Sequence, residues 1–204
     1  MAGPDSGEHL NWWIRGRDLP PRGSIEVVCG SMFSGKTEEL LRRVKRARLA
    51  KVPVVVFKPK VDQRYDAVKV VTHEGDGIDA IPIASAAELL DQLPAVGAHV
   101  AVVGIDEVQF FDAAIVDAAQ ELAGRGMRVI CAGLDQDYRG LPFGPMPALM
   151  AVAEYVTKLH AVCARCGAEA SRSQRLIAQE GQLFVGGAAS YEARCRQCFE
   201  PPTD

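Results

Sequence analysis

The stretch Val27–Leu41, VVCGSMFSGKTEELL, decides how this chain is read. An apolar run breaks into glycines and then into a charged amphipathic segment. Gly30, Ser31, Met32, Phe33, Ser34, Gly35, Lys36 and Thr37 satisfy G-x-x-x-x-G-K-[ST], with a strand-like run before and a helix-like run after. The glycines allow successive backbone N–H groups to turn inward onto phosphate oxygens. A helix starting near Lys36 adds its positive N-terminal end. Lys36 is expected to reach the β- and γ-phosphates of a nucleotide, and the Thr37 hydroxyl to bind Mg²⁺. The loop names a ligand group, and leaves open what is done with it.

Outward from the loop the pattern is α/β. Short, nearly continuous apolar runs at Ile25–Cys29, Val52–Phe57, His99–Ile105 and Met127–Ala132 predict strands buried on both faces of a parallel sheet. Helices are expected over Lys36–Ala50, Ser85–Leu93 and Phe111–Gly124, with another beginning near Ala148–Val152. Val68–Thr72 and Ile78–Ile83, split by Glu74–Gly77, read as a hairpin set into this doubly wound order. Residues 1–23 mix Gly, Pro and charge without periodicity and read as a flexible leader, in which Trp12 and Trp13 are out of character. Residues 24–160 then form the nucleotide-binding domain. Residues 161–199 form a small unit that needs a staple to hold its fold, and 200–204 are a tail.

Composition sets outer limits. The chain has 204 residues, 48% hydrophobic and 24% charged, with a net charge of −3. Bulk charge does not favour nucleic acid. Five basic residues between Arg42 and Arg48 would be the best case for it, but without interleaved aromatics they read as a solvated helix face or a subunit contact. No apolar run approaches the roughly eighteen residues of a membrane span. Charges in the first twenty residues argue against a secretory signal, so six cysteines point away from a disulfide framework and towards a cytoplasmic setting.

Two constellations carry chemistry. HVAVVGIDEVQFFD (99–112) is an apolar run ending in Asp106 and Glu107. Asp106 takes the part of the Mg²⁺-organising acid. Strand neighbours point to opposite sides, so Glu107 is expected to face another compartment and to act as general base on an alcohol or on a water. Spacing alone does not separate these two. Cys163-x-x-Cys166 and Cys195-x-x-Cys198 have the spacing of a four-thiolate Zn²⁺ site, which would be structural and would pin both ends of residues 167–194. A redox pair or unpaired thiols are the other readings. Cys29 and Cys131 sit in apolar strands and read as core.

With these motifs in this order, the chain resembles the type II (zinc-containing) thymidine kinases over about residues 24–199. The matching stretches are GSMFSGKTEELLRR, DQRY at 62–65, GIDEVQFF, LDQDYRGLPFG, KLHAVCARCG and GGAASYEARCRQC. The resemblance implies a P-loop, RecA-like α/β fold with a C-terminal zinc-binding lasso. It also implies ATP-dependent phosphorylation of the 5′-hydroxyl of thymidine, and of deoxyuridine, in deoxynucleotide salvage. Glu107 would take the proton from that hydroxyl. Arg64 would stand near the transferring phosphate, with Asp62 two residues before it. Ser173, Phe184, Val185 and Tyr191 fall on the lasso over the nucleoside, Tyr191 touching the deoxyribose. Met32, Leu134, Tyr138 and Phe143 would line the apolar part of the pocket.

Mg²⁺ with ATP, structural Zn²⁺, a homotetramer and feedback inhibition by thymidine triphosphate belong to the same implication. Ser173 stands where threonine is common, Ala189 where an acid is frequent, and Tyr138 where phenylalanine is usual. Each departure bears on preference among pyrimidine nucleosides. The competing readings are a zinc-ribbon P-loop ATPase acting with nucleic acid and a non-catalytic nucleotide-binding regulator.

Overall fold

Strand β1 (Ser24–Gly30) is buried along its whole length and divides its side chains between two cores. Ile25, Val27 and Cys29 face one core, and Val28 faces the other. This alternation organises the molecule, because each face of the sheet must be covered by helices. A computed structural model describes residues 23–61, 69–71, 77–96, 100–177 and 189–201.

After β1 come α1 (Lys36–Leu49), β2 (Val54–Pro59), β3 (Lys69–Val71), β4 (Gly77–Asp79), β5 (Ile81–Ile83) and α2 (Ala86–Val96). They are followed by β6 (Val102–Ile105), α3 (Ala114–Gly124), β7 (Arg128–Gly133), α4 (Met146–Val152) and β8 (Tyr155–Leu159). The short strands β9 (Ala161–Val162), β10 (Glu169–Ala170), β11 (Arg172–Arg175) and β12 (Tyr191–Arg194) complete the chain.

Six strands form one parallel sheet in the order β5-β2-β6-β7-β1-β8. Strand β7 therefore separates the phosphate-loop strand β1 from the acidic strand β6. Helix α1 covers one face through Leu40, Leu41, Val44 and Ala47, together with Val70 and Ile78 of the β3–β4 pair. Helices α2, α3 and α4 cover the other, through Leu89, Leu93, Ile115, Leu122, Met146 and Leu149. A Cβ at Gly104 of β6 would meet Leu40 Cδ1 at 3.3 Å, so this small residue lets α1 lie close to the sheet.

The expected α/β order holds, although β6 starts only at Val102, α2 runs on to Val96 and α4 starts at Met146, and four further corrections apply. Strand β2 starts at Val54, because Pro53 lies outside the ladder and offers its carbonyl to the Ala101 and Val102 N–H groups. The expected hairpin is divided: β3 pairs antiparallel with β4, whereas β5 joins the main sheet alongside β2. Helix α3 starts at Ala114 rather than Phe111, since Val108–Phe110 make a tight 3-10 turn and the Asp112 carboxylate receives the Ala114 N–H at 3.0 Å. Edge strand β8 was not anticipated. Tyr155 and Val156 are 40% and 44% exposed, so YVTKL lacks the continuous apolar run of a strand buried on both faces.

Beyond His160 the chain forms two antiparallel pairs, β9–β10 and β11–β12. Their joint core is small: Ala161, Cys163, Ala170, Ala193 and Cys195, with Phe33 of the phosphate loop packed against it.

Candidate functional site

All the chemistry lies at the carboxyl ends of the parallel strands, where open α/β sheets bind ligands. At the end of β1, Gly30 has φ 148° and a Cβ there would stand 2.3 Å from the Leu159 carbonyl oxygen, so only glycine fits. Gly35 is left-handed at φ 81° and serves as the N-cap of α1 with no side-chain acceptor for the first N–H groups. Such an uncapped helix start suits a phosphate. Lys36 is 8% exposed and its ammonium donates to the Ser31 carbonyl at 2.8 Å, as does the Ser34 hydroxyl. The lysine is thus folded back along its own loop. Phe33 adopts φ 64° and packs on the small core of the β9–β12 unit.

Strand β6 delivers the acids. The Thr37 hydroxyl donates to Asp106, 3.2 Å from Oδ2 and 3.4 Å from Oδ1. This brings together the two residues expected to share a cation: a hydroxyl and a buried carboxylate are hard oxygen donors that fit Mg²⁺. Glu107 engages a different partner, the Gln109 side-chain amide, which donates to its Oε2. Strand alternation is not the reason for the divergence. β6 ends at Ile105, and Glu107 sits in the left-handed region at φ 49°, where the backbone turns out of the sheet. A non-glycine residue there carries a local cost, and such costs cluster at functional sites.

The apolar and aromatic residues expected in the pocket have defined partners. Phe143 is buried and meets Phe110 edge-on, ring centroids 5.9 Å apart at 88°. Leu134 is half-buried, and its N–H donates to the Gln109 Oε1. The Arg175 guanidinium stacks 3.6 Å from the centre of the Tyr138 ring and donates to the Tyr191 hydroxyl at 3.0 and 2.8 Å. Met32 donates its backbone N–H to the Ser173 hydroxyl at 3.0 Å, and the Ser31 hydroxyl donates to the Ala170 carbonyl at 3.3 Å. The small C-terminal unit is therefore seated on the phosphate loop. Arg64, Asp62, Phe184 and Val185 lie outside the described residues.

The four cysteines of the two knuckles converge, with all sulfurs within 4.8 Å of one another and Cys166 and Cys195 at 3.7 Å. A tetrahedral ion with Zn–S bonds of about 2.3 Å separates its sulfurs by about 3.8 Å, so the set fits Zn²⁺. The Cys195 backbone N–H directed at Cys163 holds this thiol down at about 6, and the Cys198 N–H lowers Cys195. The nearby Cys195 sulfur pushes Cys198 up to about 12, a crowding of negative charge that a divalent cation relieves. A closed four-thiolate shell is structural. Cys29 and Cys131 are fully buried and lifted by that burial to about 11 and about 12, as core thiols should be.

Three features of this region escaped the sequence reading. Gln109 and Arg175 bridge site residues; Gln109 lies in the GIDEVQFF stretch without a role assigned to it there, and Arg175 belongs to no quoted stretch. At the loop end of β7, Asp135 is 7% exposed and accepts from the Lys158 ammonium of β8 at 2.6 Å. The basic run on α1 is partly internal. Arg43 bonds Glu26, Glu39 and Thr157, and Arg42 bonds Glu39. Among the described residues, no helix is long and apolar enough to cross a membrane.

Comparison with known proteins places these features in a wider set. A family profile described as Thymidine kinase matches residues 23–199. The chain is 58% identical to the thymidine kinase of Rhodothermus sp. (strain ITI 518), over 88% of this chain and 83% of that protein. It is 56% identical to the thymidine kinase of Bdellovibrio bacteriovorus, over 90% and 88% of the two chains. With the thymidine kinase of Bacteroides fragilis it shares 51% identity over 88% of each. Among solved structures, domain III of the Thermotoga maritima replication initiation protein DnaA superposes with a TM-score of 0.42 at 15% identity, covering 78% of this chain and 63% of that one.

Proposed function

The chain belongs to the thymidine kinase family, and from that premise we propose that the site transfers the γ-phosphoryl group of ATP to the 5′-hydroxyl of thymidine, and of deoxyuridine. The observation that carries this reading is the separation of Glu107 from Asp106: adjacent acids engage different partners, one the Thr37 hydroxyl and the other the Gln109 amide. One acid is assigned to the nucleotide side and its neighbour to a second substrate.

The polyphosphate lies in the Gly30–Thr37 loop, its oxygens on the loop amides and on the uncapped start of α1. Lys36 leaves the Ser31 carbonyl for the β- and γ-phosphates. Thr37 and Asp106 would hold Mg²⁺, which supplies charge neutralisation between the phosphates when bound. Glu107 accepts the proton of the nucleoside 5′-hydroxyl as that oxygen bonds to the γ-phosphorus, the bond to the β-phosphate oxygen breaks and ADP departs. Arg64 is assigned to the transferring group. Met32, Leu134, Tyr138 and Phe143 wall the base, a neutral ligand that calls for apolar surface with few polar contacts. Ser173, Phe184, Val185 and Tyr191 cover it, excluding water that would otherwise waste ATP.

Cys163, Cys166, Cys195 and Cys198 would hold Zn²⁺, which fixes both ends of the covering segment. Reduced, metal-binding thiols fit a cytoplasmic setting. Homotetramer formation and inhibition by thymidine triphosphate are carried from the family alone.

The test is direct. Purified zinc-loaded protein given Mg-ATP and thymidine should form thymidine monophosphate, and no product above a no-enzyme blank rejects the reading. Glu107→Gln should retain both substrates yet lose roughly 10²–10⁴-fold in kcat. Near-normal turnover would remove Glu107 from the base role. Stimulation of ATP turnover by DNA rather than by nucleosides would favour the nucleic-acid ATPase instead.

A further inference from the structure

Gln109 is 2% exposed, yet it lies only two residues beyond the surface-accessible acid Glu107. A buried glutamine must place both ends of its amide or bear a desolvation cost. Here both ends are placed. Oε1 accepts the Leu134 backbone N–H at 3.0 Å. That donor is a main-chain group with one possible polarity, so the amide cannot be reversed, and Nε2 must face Glu107, where it donates to Oε2.

The glutamine is also clasped by absent side chains. A Cβ at Gly133 would stand 2.6 Å from Gln109 Oε1 and 2.9 Å from Met146 Sδ. A Cβ at Gly144, itself left-handed at φ 49°, would stand 2.4 Å from the Gln109 carbonyl oxygen. Two glycines, one closing β7 and one preceding α4, therefore leave room for this single residue and no slack around it.

The geometry points to Gln109 as the positioning residue of the phosphoryl transfer: it ties the Glu107 carboxylate to Leu134, the residue after β7, and holds one of its oxygens while the group works as base. This inference rests on the thymidine kinase reading given above. Glu107 lies two residues beyond the end of β6 and adopts a left-handed backbone, so its own strand ladder does not fix it. The Gln109 amide supplies a tether to Leu134 instead. A carboxylate has roughly four acceptor positions, so the Gln109 bond to one oxygen is compatible with a substrate hydroxyl on the same group. A base displaced by about an ångström loses up to roughly a hundredfold in rate, so the tether bears on kcat more than on binding. Because Leu134 supplies the anchoring N–H, movement of the pocket wall at Leu134 would be felt at the base.

Two variants test this together with the wild type. Gln109→Met keeps the length and removes both the donor to Glu107 and the acceptor for the Leu134 N–H, and should lower kcat roughly tenfold to a hundredfold while the KM for ATP stays within about twofold. Gln109→Glu keeps an acceptor for the Leu134 N–H but sets a carboxyl against Glu107. Two carboxyls sharing one proton should move the acid limb of the pH–rate profile up by about a pH unit or more. That shift shows that position 109 touches the working base, and the kcat loss in Gln109→Met at an unchanged KM for ATP shows that the contact positions it. Active wild type, with kcat within about twofold in Gln109→Met and an unmoved limb in Gln109→Glu, overturns the inference. Equal losses in kcat and in ATP affinity with an unmoved limb assign Gln109 to packing and overturn it as well. Wild type that forms no thymidine monophosphate rejects the functional reading, and this inference with it.

Discussion

The Met32 backbone N–H, in the phosphate loop, donates to the Ser173 hydroxyl 141 positions further along the chain, at 3.0 Å. One hydrogen bond thus joins the segment that would hold the donor phosphates to the segment that would cover the acceptor nucleoside. Ser173 is 4% exposed, so the contact is shielded from water.

Removing that hydroxyl strands the Met32 N–H. Ser173→Ala should cost about 1 kcal/mol or more in seating the small unit, raising the KM for thymidine and for ATP about fivefold or more. Ser173→Thr retains the hydroxyl and should stay near wild type. Steady-state kinetics decide the matter, and unchanged KM values in Ser173→Ala would reject a coupling role for this bond.

Metal removal should act locally. With Zn²⁺ bound, a thiol-reactive probe should label few cysteines, since Cys29 and Cys131 are fully buried. After treatment with a strong chelator the four clustered thiols should become reactive while β1 and β7 keep theirs covered. Nucleoside phosphorylation should vanish together with the metal, measured by elemental analysis. Full activity in zinc-free protein would exclude a structural role for the site.

Glu26 lies between two arginines, bonding Arg43 at 2.7 Å and Arg128 at 2.9 Å, and all three side chains are at most 12% exposed. These bonds tie α1 to strands β1 and β7. Glu26→Ala takes its carboxylate from buried Arg128 while Arg43 keeps Glu39 and Thr157, and should destabilise by about 3 kcal/mol. Urea unfolding measures this directly, and a loss below about 1 kcal/mol would show the cluster to be solvated.

Acid should weaken the start of α1. Hydrogen bonds from the Arg42 guanidinium, then those of Arg43, hold the Glu39 carboxyl at about 2, below its ordinary 4.5. A depressed folded value means the stabilisation is complete above pH 4.5 and is lost as pH falls towards 2. Arg42 is 56% exposed, so solvent screening limits the effect to about 1 kcal/mol. Glu39→Gln should remove this part of the acid sensitivity, read as a smaller difference in urea midpoint between about pH 6 and about pH 3.

Much of the site was legible because its parts are local in sequence. The loop from Gly30 to Thr37, the Asp106–Glu107 pair and the two Cys-x-x-Cys knuckles each carry their chemistry in a few adjacent residues, and the structure places Thr37 on Asp106 and gathers the four sulfurs. Buried strands such as Arg128–Gly133 were legible for the same reason, since burial on both faces leaves a continuous apolar run. Strand β8 was not, because an edge strand needs only its backbone for pairing, and YVTKL keeps polar and exposed side chains.

The sequence by itself determined a glycine-rich loop opening into a helix, a carboxylate pair closing an apolar strand and two cysteine pairs with the spacing of metal ligands. Each follows from spacing along the chain. Only the tertiary structure decided how these parts touch: Ser173 on the Met32 amide, Arg175 between Tyr138 and Tyr191, and Gln109 between Leu134 and Glu107. The physical reason is that a hydrogen bond across separate strands, or a cradle formed by glycines such as Gly133 and Gly144, depends on side chains that folding alone brings within about 3 Å.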